Sequence, residues 1–241
     1  MAEAQQLYSE CLTLQREIGD RRGMSLTLHS LAVVAEARQD FTEAHKLYRE
    51  ALALHRSLGN QAMEAHTRNG LGVLAVAQGD LGTARTHHEQ ALAIQRDLGD
   101  KNGIAFSLRE LGAIVAEQGD ISTACGHLAE CMEILRELGD RQELAPAIEA
   151  CAGVAGKAGE GERALRLAGA AAALREEMAC PISKSDDEVL QGRLAGARKA
   201  LGAEVSRRCV EEGRVLGIEE AITLAIETGS QKVVRSSATG P

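Results

Sequence analysis

Apolar residues recur at helical spacing along most of the chain, and the pattern is cut at regular intervals by short polar turns. The spacing predicts one set of helices over 23–38, 63–78, 103–118 and 144–158, and a second set over 41–58, 81–98 and 121–138. Four second helices or their equivalents leave on nearly one phrase: REIGD ends at Asp20, RSLGN at Asn60, RDLGD at Asp100 and RELGD at Asp140. A basic residue near a helix C-terminus complements the dipole, the Leu is expected to pack inward, and Gly-Asp ends one helix and opens the next.

Written in rows of forty, the columns align without a gap. Leu31, Leu71, Leu111 and Cys151 share one column, Ala32, Gly72, Gly112 and Ala152 another, and Ala44, Ala84, Ala124 and Ala164 a third. A second turn recurs as RQD at Asp40, QGD at Asp80, QGD at Asp120 and AGE at Glu160. Each row is therefore a pair of helices, and a period of about 40 residues signals stacked repeats. Gly72 and Gly112 cost about 1 kcal/mol each in helix propensity, which predicts that a neighbouring backbone approaches there. Gly79, Gly119 and Gly159 suit the left-handed position that ends a helix, and Asp40 with Glu43 reads as a capping box.

These columns resemble the tetratricopeptide repeat: Leu71-Gly72 in a first helix, Gly79-Asp80 at the turn, then Ala84, and in the row before Ala44 with Tyr48. The resemblance implies an all-α fold, a right-handed superhelical solenoid of helical hairpins, with the repeat array over 1–180. The rows are longer than the short form of the repeat. That length, with ERALRLAGAAAALREEMACPIS at 162–183 and ALGAEVSRRCVEEGRVLGIEEAITLAIE at 200–227, is similar to the C-terminal region of bacterial LuxR-type or MalT-like ATPase regulators. Met1 falls at the start of a second helix, so the resemblance implies a C-terminal portion of such a regulator or a short relative of it. After Pro181 a helical cap is expected over 181–228, opened by an S-x-x-E box at Ser185 to Glu188, with a break between helices near 201–203 and a last helix near 218–228. Residues 229–241 read as a disordered tail.

Composition narrows the function. Aromatic residues make up 2% of the chain and there is no Trp, so the core is built from small and aliphatic side chains that favour close helix packing. A net charge of −8 argues against nucleic acid, which needs a concentrated basic face. No apolar run is long enough for a membrane span, no secretory leader is evident, and a cytoplasmic location follows as the expectation. The six cysteines show no metal-ligand spacing and read as small reduced core residues.

No catalytic, cofactor or metal site is expected. GLGVLA at Gly70 to Ala75 fits a dinucleotide fingerprint only on paper, because its glycines sit inside a helix rather than after a strand. His87 and His88 are adjacent on a helix and cannot share a metal-binding face, while His87 and His127 alone leave a zinc site incomplete. His88 shares the column of Tyr8 and Tyr48 and reads as a partly buried space-filler.

The family geometry lines a concave groove with first helices. It implies a partner-binding column of His29, Asn69, Arg109 and Glu149, with His66 and Phe106 nearby and Val33, Val73 and Val76 as an apolar floor. A protein or peptide, or a small effector, would sit there. The recurring Lys and Asn set of the family's carboxylate-clamp members is missing. The function implied is a non-enzymatic interaction or effector-sensing arm of a bacterial transcriptional or signalling regulator. The alternative is a stand-alone structural adaptor. Neither reading specifies an oligomeric state.

Overall fold

A computed structural model describes residues 2–227, and the tail expected over 229–241 lies outside the described residues. Among the described residues every regular element is an α-helix. The chain divides after Ser107 into two compact units.

Unit 1 holds α1 (Ala2–Ile18), the hairpin of α2 (Arg21–Ala37) with α3 (Phe41–Ser57), the hairpin of α4 (Gln61–Ala77) with α5 (Leu81–Leu98), and the start of α6 (Lys101–Glu117). Helix α1 lies on α2, and α3 joins the two hairpins by packing on α4. Unit 2 holds the rest of α6, then α7 (Ile121–Leu138), the hairpin of α8 (Arg141–Lys157) with α9 (Gly161–Glu177), α10 (Lys184–Arg214) and α11 (Ile218–Ile226). Helix α10 covers α9 and part of α8, and α11 closes against α7, α8 and α9.

The same turn is used every twenty residues. The side chains of Asp20, Asp40, Asn60, Asp80, Asp100, Asp120 and Asp140 each accept from a backbone N–H three residues on, at 2.9 to 3.3 Å. Each such cap is worth about 1 kcal/mol. The cap stands directly before the helix, so first helices begin at 21, 61, 101 and 141, about two residues before the positions expected from apolar periodicity. Their opening residues are exposed and, apart from Ala62, polar, which is why they carry no apolar signal. Asp40 makes only half of the expected box: its own N–H is already taken by the Ala35 carbonyl at 2.9 Å, and Glu43 turns to Lys46.

The residue before each cap is left-handed. Glycine fills that position at 19, 59, 79, 99, 119, 139 and 159, but Gln39 holds it with φ 62°. A side chain there costs roughly 1–2 kcal/mol, against roughly 0.5–1 kcal/mol for the extra freedom glycine loses on folding. Gln39→Gly is therefore expected to stabilise the protein by about 0.5 kcal/mol, read as a higher urea midpoint with an unchanged slope. A lower midpoint would show that the Gln39 side chain contributes more than its backbone strain costs.

Two packing expectations need correction. The Leu of the repeated phrase does not pack inward: Ile18, Leu58, Leu98 and Leu138 are 76%, 40%, 45% and 39% exposed. These residues sit in the last turn, past the point where the neighbouring helix still covers that face. At Gly72 the next helix's side chain approaches rather than its backbone, whereas at Gly112 the Leu128 side chain and, at 3.4 Å, the Ala124 backbone carbonyl both do. A Cβ on Gly72 would overlap the His88 ring, and one on Gly112 would lie 2.8 Å from Leu128 Cγ. Backbone truly meets backbone between α9 and α10, where a Cβ on Gly213 would overlap the Arg166 carbonyl and one on Gly169 the Val210 carbonyl.

The cap region also differs in detail. Helix α10 is capped by Ser183, whose hydroxyl accepts from the Asp186 N–H at 3.1 Å, two residues before the expected Ser185. Ser183 is extended (φ −65°, ψ 153°) and Ser185 is already helical. The expected break near 201–203 is present as one non-helical residue, Gly202 (φ 77°, ψ 167°), a conformation essentially reserved for glycine.

Candidate functional site

The centre of unit 1 is a buried polar ring in an otherwise aliphatic core. Asn69 on α4, His88 and Gln95 on α5 and Ser107 on α6 are 7%, 0%, 0% and 0% exposed. His88 Nδ1 donates to Asn69 Oδ1 at 3.0 Å, and the Ser107 hydroxyl donates to the same oxygen at 3.0 Å. The Gln95 amide is oriented so that its oxygen accepts from Asn69 Nδ2 at 3.1 Å and its nitrogen donates to Ser107 Oγ at 2.7 Å. The ring closes on itself, which is the condition under which buried polar groups specify a packing rather than weaken it. The Phe106 ring stands 6.3 Å from that of His88, tilted by 51°.

A second constellation links α2, α3 and α4. The Thr67 hydroxyl spends its proton on the Met63 carbonyl at 2.8 Å, so at 3.1 Å it accepts from His29 Nδ1–H and leaves Nε2 unprotonated. The His29 ring meets Tyr48 edge-on at 5.5 Å, and the Tyr48 hydroxyl donates to Glu36 Oε2 at 2.8 Å. Burial, then the nearby His55 and His66, push His29 down to about 4. Burial also lowers His55, which is 0% exposed with both ring nitrogens lacking a hydrogen-bond partner among the described residues. Burial raises Glu36 above the usual carboxylate range.

The expected groove column is thus engaged internally, residue by residue. His29 is held by Thr67, and Asn69 lies in the buried ring. In unit 2, Arg109 reaches Glu110 at 3.2 Å and Glu143 at 3.8 Å. Glu149 is locked by Arg175 through two bonds of 2.5 and 2.8 Å, with both side chains nearly covered at 13% and 15% exposed. Asn69 and Glu149 therefore face inward rather than onto an open strip.

What unit 1 leaves open on its first helices lies beside that column. His66 is exposed, Val33 and Val76 are 47% and 37% exposed, and Val73 is half-buried. Leu26, 42% exposed, joins them. Leu26 shares a column with His66 and Phe106, and that shared column is the sequence signal that places it on this face. In unit 2 a cleft of about 630 Å³ is lined by Leu216, Leu224 and Arg166 and rimmed by Glu212, Glu219, Glu220 and Glu227.

Among the described residues no three His, Cys, Asp or Glu side chains gather closely enough to hold a metal ion, and no helix is long and apolar enough to cross a membrane. Cys131 and Cys151 are buried free thiols raised by burial, Cys131 to about 12, so neither supplies a thiolate near neutral pH.

In sequence, residues 1–57, 24–97 and 63–137 match the family described as Tetratricopeptide repeat. A comparison with curated proteins gives no match. Among solved structures, the fold is similar to that of BtubC (BKLC) from P. vanneervenii, with a TM-score of 0.66 and 17% identity over 100% of this chain and 93% of that one.

Proposed function

Because the chain belongs to the tetratricopeptide-repeat family, we propose that it is a non-catalytic protein-interaction module, and that its first helices receive a peptide or helical segment of a partner. The observation that carries this reading is the open apolar strip of Leu26, Val33 and Val76 beside the exposed His66 in unit 1. Covering that strip removes apolar surface from water at about 25 cal/mol per Å², and His66 supplies a directional polar contact. His29, Asn69 and Phe106 act behind it by fixing the backbone that presents the strip. In unit 2, Arg109 and Glu149 are the matching positions, Arg109 paired with Glu110 and Glu143, and Glu149 with Arg175. The finer setting is a bacterial transcriptional or signalling regulator in the cytoplasm, where a partner or small effector would bias the repeat packing. Six free cysteines are consistent with a reducing compartment.

The test is capture from bacterial lysate with the full chain as bait, repeated with Val33→Asp plus Val76→Asp and separately with Arg109→Glu. Both valines are exposed, so helicity is expected to be unchanged while the proteins held by the wild type are lost with the first variant and reduced with the second. Retention of the same proteins by both variants would move the site elsewhere. A nucleotide-binding and an output module encoded in frame upstream of Met1 would support the regulator over the adaptor.

A further inference from the structure

Unit 2 carries a cleft of about 630 Å³ whose floor is apolar and whose rim is acidic. Leu216, in the turn between α10 and α11, and Leu224 on α11 are half-buried and form the floor. The volume falls in the range of about 300–1,000 Å³ typical of ligand clefts. Glu212, Glu219, Glu220 and Glu227 stand around it with Arg166. That guanidinium is already engaged, by Glu212 at 2.8 Å and Glu162 at 3.8 Å. The Glu220 carboxylate caps α11 by accepting from the Gly217 N–H at 2.8 Å, and Glu219 beside it is exposed. Arg163, close to Glu227, pairs with Glu160 at 3.2 Å and donates to the Leu224 carbonyl. The cleft therefore keeps a negative rim over an apolar floor, which suits a short segment with basic residues on either side of apolar ones.

The sequence that follows the cleft has that pattern. Glu227, the last described residue, is itself part of the rim. Residues 228–241 contain Lys232 and Arg235 and no acidic residue, in a chain whose net charge is −8. The two basic residues bracket Val233 and Val234. Val233 lies six residues past Glu227, a reach of up to about 20 Å, and Thr228, Gly229 and Ser230 are residue types that readily turn a chain back. Tethering strengthens a modest match. A segment on so short a linker meets its site at an effective concentration of about 1 mM, so an intrinsic Kd of about 0.1 mM keeps it seated about nine-tenths of the time.

We propose that the segment Lys232 to Arg235 occupies this cleft in the same molecule, its valines on Leu216 and Leu224 and its basic side chains toward Glu219 and Glu227, rather than forming the free tail that composition alone implies. The segment is then a built-in ligand, and the cleft is closed to basic segments of other proteins while it is seated. No residue of the first-helix strip takes part, so failure here and failure of that strip are separate results.

Trypsin reads the seating, because it cleaves after Lys232 and Arg235 only when their side chains are free to enter the protease. The full chain is digested beside a trace of isotope-labelled synthetic peptide 228–241, and both cleavages are followed by mass spectrometry. Cleavage after Lys232 is expected to be about tenfold slower in the chain than in the peptide, the inverse of the unseated fraction, at every protein concentration. Unlabelled peptide at about 5 mM competes and speeds it, and salt at about 1 M speeds it by screening the rim. Glu219→Lys plus Glu227→Lys, both at exposed positions, removes the protection and leaves helicity unchanged.

A charge swap separates seating from a structural disturbance. Lys232→Glu plus Arg235→Glu is expected to lower the amide heteronuclear NOE at Val233 and Val234, and joining it to the two cleft lysines restores the wild-type values. Cleavage of the wild-type chain at the rate of the peptide would overturn the proposal, as would a swap without recovery. Protection that falls on dilution would assign the cleft to the tail of a second copy. Protection that survives the cleft lysines would seat the tail elsewhere and remove this site.

Discussion

Gly213→Ala is expected to lower the stability of unit 2 by about 3 kcal/mol, the upper end of ordinary overpacking costs, while Gly196→Ala in the same helix raises it by up to about 1 kcal/mol through helix propensity. The opposite signs follow from what surrounds each Cα. At Gly213 a methyl would overlap the Arg166 carbonyl and crowd that residue's backbone, and Gly169 stands in the same relation to Val210. Backbone cannot change rotamer, so α9 and α10 must separate along their shared face. At Gly196 nothing lies within 4 Å of the added methyl. A loss of about 3 kcal/mol is a large fraction of the stability of an ordinary domain. Urea unfolding of the full chain, followed by circular dichroism, reads both variants. Equal shifts of one sign would mean that α9 and α10 do not cross through these glycines.

The turns were legible because their chemistry is local. Asp or Asn before a helix and glycine before that can be read without knowing any neighbour, and the caps at Asp20 through Asp140 follow the letters. Glu160 is the exception that proves the chemistry: it holds the N-cap place of α9 but makes no side-chain cap bond, and its longer side chain pairs with Arg163 instead. The close approach at Gly169 and Gly213 was not legible, since neither lies in a repeating small-residue column and α10 belongs to no repeat.

The groove column shows why periodicity locates a face but not its freedom. His29, Asn69, Arg109 and Glu149 are one column in the rows of forty, yet their partners are Thr67, His88 with Ser107, Glu110 with Glu143, and Arg175. Thr67 and Ser107 share a column, so the first two pairs repeat at an offset of 38 residues, whereas Glu143 comes from a column that carries no matching partner in the other rows. A column fixes direction through backbone geometry, while engagement depends on which side chain happens to stand opposite. Apolar residues in neighbouring columns lack that option of pairing away, which is why Leu26, Val33 and Val76 stay open on the same helices.

Acidification is expected to weaken unit 1 through its buried histidines, against the smaller opposing effect of Glu36, whose raised carboxyl favours the fold as it takes up a proton. His29 is held neutral in the folded state, at about 4 against an ordinary value of 6.5, by burial and then by His55 and His66. A depressed histidine favours the unprotonated fold, so its contribution is complete above pH 6.5 and is lost as pH falls from 6.5 toward 4. The full shift corresponds to about 3 kcal/mol, and partial solvent access to the ring reduces this to about 2 kcal/mol. His55 adds in the same direction, lowered by burial against the opposing pull of Glu64. The groups around His29 leave no cheap alternative. Thr67 already occupies Nδ1, the Tyr48 ring lies at 5.5 Å, and Glu36, which might have paired with the new charge, is itself raised by burial and takes the Tyr48 hydroxyl. Glu64, which burial raises but Arg56 and Arg68 together hold low, would contribute acid loss only below its ordinary 4.5, outside this window. Urea midpoints are therefore expected to fall steadily between pH 6.5 and 4.5, and His29→Asn is expected to flatten most of that slope while costing some stability at pH 7. An unchanged slope in the variant would show that His29 is not the group that titrates, and would direct attention to His55 and its two unpaired ring nitrogens.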